Sequence, residues 1–502
     1  MRIAFKKDPA EHNQRVLFPT NVFDLLPEDH DCFVYEEIFK QLKTSKVEQH
    51  YSVRGQNAYH PRLVTGILIY AYSQGVFSSR QIEKKCREDL GFMYISHRNC
   101  PNFRVLSDFR KDNQEFFKES FKQSVLIARE AGMVSLGHVS TDGSKFKADT
   151  SKHKAMSYGR LRAKEKELTE EIEALLARAG ECDEQEDEEL QDNSGYELPE
   201  ELRIKEKRLE KIKAAREALE KREAEQNPGK KIEDKKQISF ADKEARIMGK
   251  KGEFQYAYNG QISVDSDHQI IVGQHLSQNA NDKKELKPAL EEIKEVTGEH
   301  PEKMSIDNGY MSGENLQCLS ETEIDAYMAT GKGEGEEKTE LENSNGTMKA
   351  SHFTYNSEED AFVCPAGNVL PLKSQTYEGK KIYQADKNDC DKCKDHSRCC
   401  GSENGKPRTI HSDDKEPLRQ AMREKMRLDS SHQVYKERKV IVEPVFGQIK
   451  NSGFQGFSMR GHRKTSGEFS LVCAVHNFKK IVKAVFRGVV RLEYGKLAPA
   501  TG

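Results

Sequence analysis

The sequence predicts an α/β fold built around one central sheet, and three observations lead to this class. From residue 133 onward, strand-like runs alternate with helical runs, as in domains that pack helices against a sheet. The residues before 133 carry apolar side chains at three- and four-residue spacing and predict helices alone. A stretch near 160–226 is rich in Glu, Lys, Ala, Leu and Arg with heptad-like apolar spacing, which predicts two exposed helices in an antiparallel hairpin.

The composition limits the class of protein. The chain has 502 residues, 35% hydrophobic and 33% charged, which suits two to four domains at about 100 to 200 residues per domain. No apolar run of about 18 residues occurs and the first residues do not resemble a signal peptide, so we expect a cytoplasmic protein with no membrane partner. The net charge of −2 means that any phosphate contact must come from local basic patches.

The N-terminal 132 residues are predicted to form a helical domain. Ser78, Ser79 and Ser107 precede or enter helical patterns and are suitable N-cap residues. Such a domain could bind DNA through a helix-turn-helix arrangement or serve only as a packing unit, and the sequence leaves both interpretations open. DNA binding is the one that we assign to it.

The strands of the core alternate with helices. The segment GHVSTDGSKFKA predicts a first strand, YNGQISVD and QIIVGQHL predict a hairpin around Ser266–His268, and EKMSIDNGY and EIDAYMATG predict two further strands. The predicted divisions are a helical domain at 1–132, core segments at 133–160, 231–331 and 411–490, a helical hairpin at 161–230, a linker and cysteine-rich insert at 332–410, and a tail at 491–502.

Three acidic residues stand where a phosphoryl-transfer site would need them. Asp142 closes the HVSTD strand, Asp307 closes the MSID strand, and Glu443 lies in VIVEPVFGQIK. Carboxylates at strand ends project into the crevice at the carboxyl edge of a sheet. Two such charges about 4 Å apart repel by roughly 4 kcal/mol at an effective dielectric of 20, so three together require a cation. Mg²⁺ or Mn²⁺ prefers oxygen ligands and would activate a water or hydroxyl for attack on phosphorus.

The surroundings of Glu443 strengthen this interpretation. On an ideal helix, Tyr435, Lys439 and Lys450 share a face with Glu443, so phosphate-binding donors would flank the carboxylate. Pro444 disfavours a helical conformation of the residue before it. The helix is therefore expected to kink or restart at this point.

Three strings of the chain resemble bacterial insertion-sequence transposases with a DDE catalytic triad. They are STDGSKFKADTSKHKAMSYGRL, SIDNGYMSGENL and YKERKVIVEPVFGQIKNSGFQGFSMRG, the last followed by EFSLVCAVHNFKKI. The resemblance is to the IS-four superfamily and, within it, to the branch of insertion sequence eleven-eighty-two, and it extends to about residue 485. It implies a ribonuclease H-like core in which Asp142, Asp307 and Glu443 are the catalytic residues and the ligands of Mg²⁺ or Mn²⁺.

The resemblance also implies a set of DNA contacts. Its last motif places a tyrosine, an arginine and a lysine at Tyr435, Arg438 and Lys450. Four residues separate Arg438 from Glu443 where the superfamily more often has three, so Lys439 is an alternative to the arginine. A basic run after the first strand either contacts phosphate or is only a solvated face; its members are Lys145, Lys147, Lys152, His153 and Lys154. Gly309 and Tyr310 match the family motif and are expected to form a permissive turn and a packed aromatic.

The chain has 11 cysteines, and several of them cluster in the sequence. Cys364, Cys390, Cys393 and either Cys399 or Cys400 give the spacing C-P-x-G, C-x2-C and C-x5-C-C. The C-x2-C knuckle predicts a tetrahedral structural zinc site, which we assign to Cys364, Cys390, Cys393 and Cys399, in a zinc-ribbon-like insert. A redox pair or unliganded thiols are the alternatives.

The function expected from these features is that of a transposase. It would bind double-stranded DNA at the inverted-repeat ends of a mobile element and in the target, cleave it and transfer strands, in or near the bacterial nucleoid. A homodimer is expected because two ends must be held together. The rival hypotheses are a metal-dependent nuclease without strand transfer and an inactive, transposase-derived DNA-binding protein, and the intact carboxylates argue against the second.

Overall fold

The chain divides into two compact units, one formed by residues up to 132 with those from 474 onward and the other by residues 133–473. The computed structural model describes residues 21–51, 58–150, 155–186, 200–249, 254–330, 348, 350–377, 379–400, 406–493 and 496–500. In these ranges no helix combines the length and the apolar character needed to cross a bilayer.

The N-terminal part of the first unit is helical, as the apolar spacing predicts. Its helices are α1 (Asp31–Lys40), α2 (Ser45–Glu48), α3 (Pro61–Ser73), α4 (Ser79–Glu88), α5 (Leu90–Ile95), α6 (Phe103–Asp112) and α7 (Gln114–Glu130). Pro61 begins α3, where its fixed φ suits the first helical turn. Ser78 occupies the N-cap position of α4, as predicted. The prediction that Ser107 is a cap was wrong, because the Asn102 side chain caps α6 and leaves Ser107 inside that helix.

The second unit is built on a six-stranded mixed sheet. The sheet contains β1 (His138–Lys147), β4 (Arg246–Met248), β5 (Gln255–Asp265), β6 (Ile271–Ser277), β7 (Lys303–Ile306) and β8 (Asp325–Met328). The second unit also contains β2 (Ala155–Ser157) and β3 (Gln237–Ser239). Central β1 pairs with antiparallel β5 on one side and with parallel β7 on the other, and β8 follows in parallel. On the far edge of β5, β6 and β4 both pair antiparallel. β2 and β3 form a separate pair.

Two long helices lie between β2 and β3 in the chain, α8 (Tyr158–Glu186) and α9 (Glu200–Gln226). They run antiparallel, since Arg216 pairs with Glu165 at 2.7 Å and Lys205 pairs with Glu171 at 3.1 Å. An apolar seam between them holds Leu161, Leu168, Ile212, Ala215 and Leu219. Residues 187–199, which connect the two helices, lie outside the described part of the chain.

A second sheet carries the cysteines. It is antiparallel with the order β13-β12-β11-β10-β9, formed by β9 (Thr354–Asn356), β10 (Ala361–Val363), β11 (Val369–Gln375), β12 (Lys381–Gln384) and β13 (Thr409–Ser412). Two short helices lie between its last strands, α12 (Lys387–Asp391) and α13 (His396–Cys399). In the predicted linker, residues 332–347 and 349 lie outside the described part of the chain, and β9 begins at Thr354.

The remaining helices of the second unit are α14 (Glu416–Met426), α15 (Asp429–Ile441) and α16 (Glu443–Asn451), and they are followed by α17 (His462–Phe486). As Pro444 predicts, one helix ends at Ile441 and the next begins at Glu443. Glu437 of α15 is hydrogen-bonded at 2.9 Å to His138 of β1, whose ring also bonds Ser305 of β7. This buried histidine holds α15 against the sheet. The first unit is completed by β14 (Val490–Glu493) and β15 (Lys496–Pro499).

Phe146, at the end of β1, is the centre of an aromatic cluster in the second unit. Its ring is fully buried and lies 5.5 to 6.2 Å, centre to centre, from four other rings. These belong to Phe446, Phe454, Phe457 and Phe469. Burying each such side chain contributes roughly 1.5 to 3 kcal/mol. The cluster therefore fixes β1 and α16 as a pair, and with them Asp142 and Glu443.

Candidate active site

Three elements of the second unit bring Asp142, Asp307 and Glu443 together. Asp142 lies on β1, Asp307 directly follows β7, and Glu443 is the first residue of α16. β1 and β7 are neighbouring parallel strands, so their carboxylates leave the sheet side by side. Glu443 stands at the N-terminus of its helix, where the peptide dipoles favour a negative charge.

The structure corrects the local setting of Asp142. We expected this residue to close a strand, but β1 continues to Lys147. Its pairing with β7 stops at Thr141, opposite Ile306, whereas its pairing with β5 continues beyond that point. Asp142 is thus the first residue of β1 whose β7 side is free, which opens a crevice beside it.

One guanidinium group bridges all three carboxylates. Arg438 of α15 reaches Asp142 at 3.2 Å, Glu443 at 3.0 Å and Asp307 at 3.5 Å. The Arg438 side chain is 11% exposed, whereas those of Asp307 and Glu443 are 42% and 44% exposed. The positive charge is therefore enclosed, with Asp307 and Glu443 facing the solvent around it and Asp142 mostly buried.

The electrostatics of this group follow from burial and from the shared arginine. Burial raises the pKa of Asp142 to about 6, although the positive charge of Arg438 opposes the rise. Burial also disfavours the charged form of Arg438, but the carboxylates of Asp142 and Asp307 hold the pKa of Arg438 above its ordinary value. Three carboxylates against one guanidinium leave a surplus of two negative charges when all are ionised. This negative surplus attracts cations to the crevice.

The donor set fits a divalent metal ion chemically, since it consists of carboxylate oxygens at the edge of a sheet. Among the described residues, however, no three His, Cys, Asp or Glu side chains stand in an arrangement that would hold an ion. The Arg438 guanidinium lies between the three acidic groups, where an ion would bind. A cation bound by all three would have to displace the guanidinium.

Tyr435, Arg438, Lys439 and Lys450 were predicted to surround the acidic site. The Tyr435 ring is half-buried with the Arg438 guanidinium 5.8 Å from its centre, and burial raises the pKa of Tyr435. Lys450 donates to Ser144 Oγ at 2.6 Å, and its amine lies over the Phe146 ring. Lys439 is exposed on α15. The structure thus brings Arg438, not Lys439, to the carboxylates.

The basic run after the first strand separates into distinct environments. The Lys145 amine is buried and lies 3.6 Å from Asp282 Oδ1, and burial lowers the pKa of Lys145. Lys147 is exposed, and its carbonyl accepts from the Phe457 N–H at 2.8 Å. The other predicted members of the run, Lys152, His153 and Lys154, lie outside the described residues.

Three polar residues at this site escaped the sequence analysis, namely Asp282, Asn259 and Gln261. Asp282 accepts a hydrogen bond from each of the two amides. A signal was present in the sequence: Asn259 and Gln261 interrupt a strand whose other residues are mostly apolar, and both are fully buried. Gln261 also accepts from the hydroxyl of Tyr310, which is the packed aromatic that the motif predicts.

The cysteines of the second sheet gather around one apolar cluster. Buried Cys390 belongs to this cluster, and Cys364, Cys399 and Cys400 pack against it. Burial raises the pKa of the Cys400 thiol to about 12, and the neighbouring Cys390 adds to the rise. Cys393 is half-buried and is not a member of the cluster. Cys364, Cys390, Cys399 and Cys400 thus surround one apolar cluster, and Cys393 lies outside it.

Two parts of the chain match families of transposases. Residues 363–482 match the family model of a transposase DDE domain, and residues 20–112 match the model of a transposase domain. The first span includes Arg438 and Glu443 but neither Asp142 nor Asp307. No curated protein and no solved structure matches the chain. The two family matches support a DDE transposase of an insertion sequence, and the mixed α/β architecture is compatible with it.

Replacing Arg438 with methionine tests the shared counter-charge. The metal-free Arg438→Met protein should lose about 2 kcal/mol of unfolding free energy, less than the roughly 3 to 5 kcal/mol of a fully buried pair because its partners are partly exposed. Mg²⁺ should raise the unfolding midpoint of this variant more than that of the wild type, since the ion need not displace a guanidinium. Thermal unfolding with and without Mg²⁺ measures both effects.

The matched control is Lys439→Met, which changes the neighbouring, exposed charge on the same helix. Its unfolding free energy should change by less than about 0.5 kcal/mol, with a wild-type response to Mg²⁺. Equal responses to Mg²⁺ in Arg438→Met and the wild type would mean that Arg438 does not compete with the cation.

Proposed function

We propose that this chain is a DDE transposase that binds the inverted-repeat ends of an insertion sequence and carries out metal-dependent DNA cleavage and strand transfer. The observation that carries the proposal is the convergence of Asp142, Asp307 and Glu443 on the guanidinium of Arg438. These residues are distant in the sequence, and a crevice with several acidic groups is what metal-assisted phosphoryl transfer requires. The two transposase family matches support the same conclusion.

The topology of the large sheet supports a ribonuclease H-like core. Strands β6, β5 and β1 are successively antiparallel, and β7 and β8 continue parallel to β1. A ribonuclease H-like sheet has this succession, with acidic residues on its central strand and on the neighbouring parallel strand. In this proposal, residues 161–230 are a helical insertion into the core, and residues 332–410 contain a second insertion.

In the proposed mechanism, Asp142, Asp307 and Glu443 hold Mg²⁺ or Mn²⁺. When bound, the metal supplies the activation of a water or 3′-hydroxyl and the stabilisation of the leaving oxygen. Arg438, once displaced from the carboxylates, would be available to bind the non-bridging oxygens of the scissile phosphate. Tyr435 limits the positions that the guanidinium can take, because the ring lies beside it.

The partners follow from this chemistry. The substrate is double-stranded DNA, and two transposon ends must be cut and joined together, so we propose a homodimer as the active form. Binding to chromosomal DNA would associate the protein with the bacterial nucleoid. The sequence motifs favour the branch of insertion sequence eleven-eighty-two within the IS-four superfamily.

Substituting the carboxylates separates DNA cleavage from DNA binding. Asp142→Asn, Asp307→Asn and Glu443→Gln should each lower the rate of cleavage at a transposon end by at least about 10²-fold, because an amide cannot replace a charged metal ligand. Gel-shift binding to the same end should stay within a few-fold of the wild type. Full cleavage by an Asp307→Ala protein in the presence of Mg²⁺ would refute the assignment.

The same assays decide between the transposase and its rivals. Joined products between a cut end and a target duplex are expected of a transposase, whereas a nuclease would release cut ends without joining them. A DNA-binding protein that has lost catalysis would give a gel shift with and without Mg²⁺ but no cut product.

Of the predicted DNA contacts we propose Lys147, Lys152, His153, Lys154, Tyr435, Arg438, Lys439 and Lys450, but not Lys145, whose amine is buried beside Asp282. Lys439 offers the cleanest test. Its amine is exposed and lies next to Arg438 on α15. A phosphate contact contributes about one unit to the slope of log affinity against log salt concentration. Lys439→Met should lower this slope by about one for specific and nonspecific duplexes alike. Lys287→Met, on α10, is the control and should leave the slope unchanged.

We also propose a structural zinc ion in the cysteine-bearing sheet, with Cys364, Cys390 and Cys399 as ligands and Cys393 or Cys400 as the fourth. Purified protein should contain about one zinc per chain by mass spectrometry of the metal. Cys390→Ser should remove it, and Cys318→Ser, on α11 (Gly313–Ser320), should not. Comparing Cys393→Ser with Cys400→Ser identifies the fourth ligand. A full zinc content in Cys390→Ser would contradict the site.

A further inference from the structure

Asp282 is a fourth carboxylate beside the three acidic residues, and one of its two oxygens is firmly held. Its Oδ1 accepts from Asn259 Nδ2 at 2.6 Å and from Gln261 Nε2 at 2.7 Å. The Lys145 ammonium lies 3.6 Å from the same oxygen. Both amides are fully buried on β5. The carboxylate therefore has a fixed orientation before any ligand arrives.

The other oxygen of Asp282 faces the catalytic residues. A β-carbon at position 309 would stand 3.3 Å from Asp282 Oδ2 and 3.6 Å from Asp307 Oδ2. These two oxygens thus border the same small space, which glycine leaves open. Gly309 is not among the described glycines with positive φ, so a permissive backbone is not its role, contrary to our expectation. The role of Gly309 is instead to leave space between Asp282 Oδ2 and Asp307 Oδ2.

Gly143, next to Asp142, makes room for Asp282 in the same way. A β-carbon there would lie 2.8 Å from Asp282 Oδ1 and 2.3 Å from Gln261 Nε2. Such a contact would push the carboxylate from its position. Gly143, directly after Asp142, and Gly309, two residues after Asp307, therefore both border Asp282.

A buried atom without a hydrogen-bond partner lies beside the first oxygen of Asp282. Asn259 is fully buried, and its Oδ1 has no hydrogen-bond partner. That oxygen lies 3.0 Å from the place where a Gly143 β-carbon would stand. A buried acceptor without a donor is rare in native structures. The amide group that orients Asp282 thus keeps an acceptor that an ordered water would satisfy.

We propose that Asp282 is a fourth acidic residue of the active site, and that its Oδ2 binds the divalent cation together with Asp142 and Asp307. The proposal rests on the function proposed above. Asn259, Gln261 and Lys145 orient the carboxylate through its other oxygen, Oδ1. Asp282 thus presents a preformed ligand, whereas the three other acidic groups are still paired with Arg438.

The substitution Asp282→Asn tests this role with little change in shape. The amide keeps one oxygen for the bonds from Asn259 and Gln261 and replaces the oxygen that faces Asp307 with an NH₂ group, which does not bind a cation. Mn²⁺ is titrated into the DNA-free protein, and the loss of the free-ion signal in electron paramagnetic resonance gives the dissociation constant. We expect Mn²⁺ binding to weaken at least about tenfold.

Asp267→Asn is the matched control. This exposed aspartate lies in the turn between β5 and β6, and its substitution should leave the Mn²⁺ affinity unchanged. Gly309→Ala is a second variant that keeps every carboxylate and inserts a methyl group between Asp282 Oδ2 and Asp307 Oδ2. It should also weaken Mn²⁺ binding. If Asp282→Asn has a lower unfolding temperature than the wild type, Gly309→Ala tests the role of Asp282 in its place.

The outcomes separate this inference from the proposed function. If the wild type binds Mn²⁺ and cleaves transposon ends while a folded Asp282→Asn protein binds Mn²⁺ with wild-type affinity, the role of Asp282 is overturned and the transposase remains. If the wild type neither binds Mn²⁺ nor cleaves the ends, the proposed function fails and this inference fails with it. Weakened Mn²⁺ binding in Asp282→Asn and Gly309→Ala, but not in Asp267→Asn, supports the fourth carboxylate.

Discussion

The structure of the site depends on charge compensation among carboxylates that the fold forces together. β1, β7 and α16 are fixed by the sheet and by the aromatic cluster around Phe146, so Asp142, Asp307 and Glu443 cannot separate to relieve their repulsion. Like charges about 4 Å apart repel by roughly 4 kcal/mol at an effective dielectric of 20. Arg438 offsets that repulsion from within the same unit. Burial of the Asp142 carboxyl nevertheless raises its pKa to about 6.

Local patterns in the sequence predicted most of the elements that carry the site. The alternation in YNGQISVD and QIIVGQHL corresponds to β5 and β6, and the proline after Glu443 corresponds to the break between α15 and α16. These features are decided within a few residues, by side-chain periodicity and by the missing N–H of proline. The meeting of three distant acidic residues was predictable only because their motifs resemble those of a family.

Features that depend on pairing across the sheet could not be predicted in this way. The length of β7 determines the residue at which β1 loses its parallel neighbour. The sequence around Asp142 does not contain this information, so it did not show that Asp142 lies inside a strand. Asp282 follows β6 with no motif around it, and its relevance comes from amides on β5. Which fourth cysteine packs against the apolar cluster depends on the packing of the residues around α13. The spacing of the cysteines in the sequence does not determine this.

The interruption at Val442 places Arg438 and Glu443, the basic and the acidic residue of the last motif, on two different helices. Arg438 belongs to α15, which His138 ties to the sheet through Glu437, whereas Glu443 begins α16, which the aromatic cluster anchors. A continuous helix would oblige both side chains to turn together. With a break between them, the position of the guanidinium depends on the packing of α15 and that of the glutamate on the packing of α16, so a substitution in the core beneath one helix can displace one of the two side chains and leave the other in place.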